Sequence, residues 1–136
     1  MIALLAYLFV ALTLWAYPAP EIRIHEWDQD SQPESEWTQP DALAWALFAD
    51  DGSCDIWVWP EHFWYWIDEP ARQNVITHEV GHCLGVGHLE GWERPGVMNY
   101  LTVLTTGEPT MWDRAEYVRH HGYRAVLPGI VGSSGK

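Results

Sequence analysis

The segment His78-Glu79-Val80-Gly81-His82-Cys83-Leu84-Gly85-Val86-Gly87-His88 decides how the rest of the chain is read. An α-helix advances about 100° per residue, so positions i and i+4 lie on one face, a turn apart. His78 and His82 can therefore offer two imidazoles to one metal ion from a single helix. Glu79 lies beside that face, where its carboxylate can reach a water held at such an ion. Gly85 lets the chain leave the helix and turn back. His88 can then supply a third nitrogen from outside the helix. Three imidazoles leave the fourth tetrahedral position of zinc open, which is the arrangement of a catalytic rather than a structural site.

Upstream, Asp68-Glu69-Pro70 supplies a capping Asp followed by acid and Pro in a first turn, so the helix is expected over about 69–84. Residues 54–59 (CDIWVW) read as a buried strand, and residues 62–67 (HFWYWI), after Pro60, as a second, aromatic strand. Residues 50–53 form a turn signal. Residues 41–49 (DALAWALFA) are Ala- and Leu-rich and read as a helix, and residues 28–40 as an acidic surface loop. Residues 21–27 alternate polar and apolar, as a half-buried strand does. Downstream, a Gly-rich loop runs to Tyr100. Thr110 with Asp113 resembles a cap for a C-terminal helix over about 110–121, ended by Gly122. Residues 129–136 read as a flexible tail. The order predicts an α+β fold, a small mixed twisted sheet backed by helices.

The first stretch, residues 2–17, is apolar apart from Thr13 and carries no charge. Residues 1–19 read as a signal peptide or N-terminal membrane anchor, which puts the protein outside the cytoplasm, secreted or anchored, with membrane association through residues 1–17. A buried N-terminal helix is the alternative, disfavoured by the Pro18-Ala19-Pro20 break. Residues 20–128 then remain as one compact domain, since 136 residues allow no second one.

The net charge is −12, and residues 21–69 hold 13 acids against the single base Arg23. Such a balance excludes nucleic acid as a partner, because phosphates need Lys and Arg. Oligomeric state is not legible. Ten Trp in so short a chain are unusual; Trp57, Trp59, Trp64 and Trp66 are expected to divide between core and cleft. Cys54 and Cys83 are expected to lie near each other, as a disulfide or as two buried thiols. The acids of residues 50–55 could hold calcium, but they do not match an EF-hand loop and fit a solvated turn better. His25, His62, His120 and His121 have no ligand spacing and read as surface or structural.

The segment 78–88 matches all fixed positions of HExxHxxGxxH, and so resembles the zinc signature of the metzincin metalloproteases. Its wording, HEVGHCLGVGH, is similar to the matrixin version, and residues 54–59 resemble a matrixin strand. The family also carries a tight Met-turn beneath its metal, and Gly96-Val97-Met98-Asn99-Tyr100 has that look. The resemblance implies one zinc ion on His78, His82 and His88, Glu79 as general base, Met98 as the floor and Tyr100 as a catalytic oxyanion stabiliser. It implies an endopeptidase acting on peptide or protein substrates, which would lie along a sheet edge, taken to be residues 62–67. No cysteine-switch prodomain is present, and the segment that carries extra structural ions in matrixins is shortened. Two other functions fit the same residues: a cell-wall peptide or amide hydrolase, and a catalytically silent, metal-stabilised binding module.

Overall fold

The computed structural model describes residues 2–28 and 42–121. The expectations for the loop from 29 onward, for Gly122 and for the tail 129–136 lie outside the described residues. Helix α1 (Ile2–Trp15) comes first, followed by strands β1 (Ile22–Glu26), β2 (Ala44–Phe48) and β3 (Cys54–Val58). Helix α2 (Pro60–Tyr65), helix α3 (Glu69–Cys83), a 3-10 turn (Val103–Thr105) and helix α4 (Met111–His121) complete the order. The fold is α+β.

The sheet order is β1-β3-β2. Strand β1 runs parallel to β3, with Ile24 opposite Ile56, and β2 runs antiparallel to β3, with Ala46 opposite Ile56. Cys54, Ile56 and Val58 are fully buried and face α3, so alternate residues of β3 point away from the core. Trp57 and Trp59 are both on that other face, where each is half-buried. Both indoles thus share one face, while Trp64 packs against the core and Trp66 is exposed.

Two elements differ from expectation. Within the stretch 41–49, expected as a helix, the described residues 42–49 hold strand β2. The local preference of Ala and Leu for helix gives way to a ladder with β3, in which Trp45 sits opposite Trp57. Residues 62–67 are not a strand: α2 starts at Pro60, whose fixed φ and missing N–H suit the first helical position. The helical turn buries His62 and Phe63 together and leaves Tyr65 exposed.

Residues 2–15, expected to stand outside the domain, form α1 and pack along α3. Leu4, Leu8, Ala11 and Trp15 are buried in the same core as Ile76, Val80 and Met98. Arg114 of α4 donates to the carbonyls of Leu14 and Trp15 at 2.8 and 2.9 Å, capping the end of α1. Tyr17 stacks on Tyr117, centroids 3.7 Å apart. A disulfide joins Cys54 to Cys83, tying the start of β3 to the end of α3.

Candidate metal centre

Asp68 caps α3, its carboxylate accepting from the Ala71 N–H at 3.1 Å. The helix ends in a Schellman turn: Val86 N–H donates to Gly81 O and Gly85 N–H to His82 O, both at 2.9 Å, with Gly85 at φ +88°. The turn brings Val86 back over the helix end, and His82 Nδ1 donates to the Val86 carbonyl at 3.0 Å. His78 Nδ1 donates to the Val97 carbonyl at 2.6 Å. Each of these rings thus has its proton on Nδ1 and its lone pair on Nε2.

The Nε2 atoms converge. His82 Nε2 lies 3.1 Å from His78 Nε2 and 2.9 Å from His88 Nε2. The Nε2 lone pairs of His78 and His82 face each other at 3.1 Å with both ring protons engaged elsewhere, and a shared cation would satisfy them. Zinc–nitrogen bonds of about 2.0–2.1 Å at tetrahedral angles would put ligand nitrogens about 3.3 Å apart, close to this spacing. The three histidines therefore form a candidate metal site. Burial, helped by neighbouring His82, pushes His78 down to about 3, and burial with His88 beside it pushes His82 down to about 4. Burial also lowers His88. All three rings are neutral at neutral pH, the form in which imidazole binds metals.

Glu79 is buried, and that burial raises it to about 8. It borders, with the three histidines, a cleft of about 980 Å³. The opposite wall is β2, from Ala44 to Trp45, Ala46 and Phe48. No described strand pairs with the outer edge of β2. Among the described residues, the strand edge left unpaired beside the site is that of β2, and the expected edge at 62–67, which is helical, is corrected. Trp57, Trp59, Trp64 and Trp66 do not line this cleft.

Met98 is fully buried beneath the site, in van der Waals reach of Gly81. A Cβ at Gly81 would collide with the Met98 sulfur and lie 2.8 Å from Trp15 Cζ2. The turn bearing Met98 is held by Asp113, a fully buried carboxylate that accepts from Val97 N–H at 2.9 Å, Met98 N–H at 3.0 Å and Thr110 N–H at 2.8 Å. Tyr100 sits on the solvent side, its ring 4.2 Å from that of His88 and 5.8 Å from that of His78. Burial and the Glu79 charge both raise its phenol.

The structure thus brings together His78, His82, His88, Glu79, Met98 and Tyr100. Of the other histidines, His62 donates from Nδ1 to Ala42 O at 2.7 Å and His121 contacts the Leu84 carbonyl, whereas His120, expected to be surface or structural, borders the cleft without joining the three-histidine group. Asp51 is taken up by Ser53, and Asp55 by Arg23 and His25, so the acids of residues 50–55 do not form a calcium cluster. Among the described residues, the three histidines are the one metal-capable group. Trp15, which supports α3, lies in a stretch that reads as an export segment, and Asp113 carries only a helix-cap signature in the sequence. In comparison with known proteins, the chain matches no family model, no curated protein and no solved structure.

Proposed function

We propose that the chain is a zinc-dependent endopeptidase, similar to the metzincins in its metal-site segment. The observation that carries this reading is the convergence of three neutral imidazoles beside the buried carboxyl of Glu79, in a cleft bordered by a free strand edge. Zinc, when bound, supplies Lewis acidity that draws charge from a carbonyl and acidifies water to a pKa of about 7. The chain's own residues do the rest. The outer edge of β2 pairs with the main chain of an extended peptide and lays it across the cleft. Glu79 takes the proton of the attacking water and returns it to the leaving amine. Burial alone keeps Glu79 protonated, and a dication on the three histidines would favour the ionised carboxylate that acts as the base. Tyr100 donates its hydroxyl to the scissile carbonyl oxygen as charge grows there. The Val97 and Val86 carbonyls hold the His78 and His82 rings in the metal-binding tautomer. The Cys54–Cys83 disulfide suits action outside the cytoplasm.

The test is to load the full chain with zinc and read cut sites in casein and in a peptide library by mass spectrometry. Peptide bonds should be cut, and Glu79→Gln should abolish cutting while zinc stays bound. Release of peptidoglycan fragments without casein cleavage would make the protein a cell-wall hydrolase instead. Neither activity, with zinc retained, would make the site a metal-stabilised binding module.

A further inference from the structure

Helix α1 has two apolar faces, and the fold uses one. Leu4, Leu8, Ala11 and Trp15 are buried against α3, whereas Ile2, Leu5, Phe9 and Val10 point away and are 85%, 52%, 71% and 41% exposed. No residue from 2 to 17 is charged. The hydroxyl on this outer side, that of Thr13, is turned back to donate to the Phe9 carbonyl at 2.9 Å. The carbonyls of Leu14 and Trp15 are already taken by Arg114. The outer face therefore offers a partner no side-chain hydrogen-bonding group. A protein interface of ordinary size carries a polar rim and roughly one hydrogen bond per 100–200 Å². Hydrocarbon, in contrast, favours polar groups that are satisfied internally, as the Thr13 hydroxyl and the Leu14 and Trp15 carbonyls are here.

We propose that α1 docks the domain on a bilayer surface, lying in the plane of the interface with the Ile2-Leu5-Phe9-Val10 stripe among the acyl chains. Its 14 residues rise about 21 Å, short of the roughly 30 Å of a hydrocarbon core. No described helix is long and apolar enough to cross a membrane. The inner face is committed to α3, so crossing would strip the core of Leu4, Leu8 and Trp15. The headgroups are zwitterionic: the net charge of −12 repels an anionic surface. None of the cleft-lining residues comes from α1, so a docked domain keeps its cleft open to water.

The test is flotation of the full chain with phosphatidylcholine vesicles on a density gradient. The wild-type protein should float, and replacing part of the phosphatidylcholine with phosphatidylserine should lower the floated fraction. Leu5→Glu with Phe9→Glu should lower it about tenfold or more, with circular dichroism and zinc binding unchanged. If that double variant loses its native dichroism, Ile2→Glu at the open end of the stripe is used instead and should lower flotation several-fold. Wild-type protein that stays at the bottom of the gradient overturns the proposal. So does a folded variant that floats like wild type, or flotation that rises with phosphatidylserine. Self-association broken by the same substitutions, without flotation, would assign the face to a second copy of the chain.

Discussion

The indole of Trp15 donates from Nε1 to the carbonyl of Thr77 at 2.8 Å, both residues fully buried, and so ties α1 to the residue before the first histidine of the metal site. The same ring lies beneath Gly81, one turn further along α3. Trp15 is thus a support for the helix that positions His78 and His82, although it is distant from them in sequence. Trp15→Phe keeps most of the ring but removes the donor, and should cost about 1–3 kcal/mol in urea unfolding. Trp15→Ala also opens a cavity and should cost about 3–5 kcal/mol. Zinc affinity should fall in the same order, measured by competition with a chromophoric chelator.

Three elements meet at Gly81, since its missing Cβ leaves room for the Met98 sulfur and the Trp15 ring. On an exposed helix, Gly→Ala would stabilise by about 1 kcal/mol. Here Gly81→Ala should instead destabilise by about 1–3 kcal/mol, because both neighbours are fully buried and packed. Shortening Met98 in the same chain should recover part of the loss. A double-mutant cycle in urea measures this, and strict additivity of the two changes would show that they do not touch.

Asp113 links α4 to the turn under the metal site through the backbone N–H groups of Val97 and Met98. Those bonds also fix the Val97 carbonyl that orients His78. Asp113→Ala leaves buried donors without an acceptor and should cost about 2–4 kcal/mol. Asp113→Asn should be costly too, since its amide turns donors toward donors. Both variants should weaken zinc binding. An Asp113→Ala protein with wild-type zinc affinity would show that the turn holds His78 without this carboxylate.

The candidate metal centre is legible in the sequence because its residues are placed locally. His78, Glu79, His82 and Gly85 are placed by helix periodicity and one left-handed turn, and His88 follows within three residues. The expected C-terminal helix and strands β1 and β3 rest on similarly local signals. Strand β2 is not local: its Ala- and Leu-rich residues favour helix, and only pairing with β3, a partner beyond a turn, makes them a strand. Residues 62–67 carry strand-forming aromatics, yet Pro60 and the burial of Phe63 wind them into α2. Composition could not place α1, because a helix with one face in a core and the other bare has the same residues as an export segment. Asp113 carries a visible cap signature, and nothing nearby in sequence points to its second set of donors at 97 and 98.

The stability of the metal-free protein should peak near pH 6.5, because two kinds of buried group pull in opposite directions. His78, His82 and His88 have native values below the ordinary 6.5, the first two near 3 and 4. As pH falls below 6.5 the unfolded chain binds protons on these rings that the native chain refuses, so stability is lost on acidification. Glu79 behaves oppositely. Its native value, about 8, lies above the ordinary 4.5, so between these limits the native chain holds a proton that the unfolded chain has released. Stability from Glu79 is therefore full below pH 4.5 and declines as pH rises toward 8. The histidines outweigh Glu79 up to about 6.5, and Glu79 alone acts above it, giving a falling alkaline limb. Thermal melts of chelator-treated protein at closely spaced pH values should trace this peak. Glu79→Gln should remove the limb between 6.5 and 8 and leave the acid limb in place. Zinc should also flatten the alkaline limb, since a nearby dication favours the ionised carboxylate. A metal-free melting temperature that keeps rising from pH 6.5 to 8 in wild type would contradict the burial that raises Glu79.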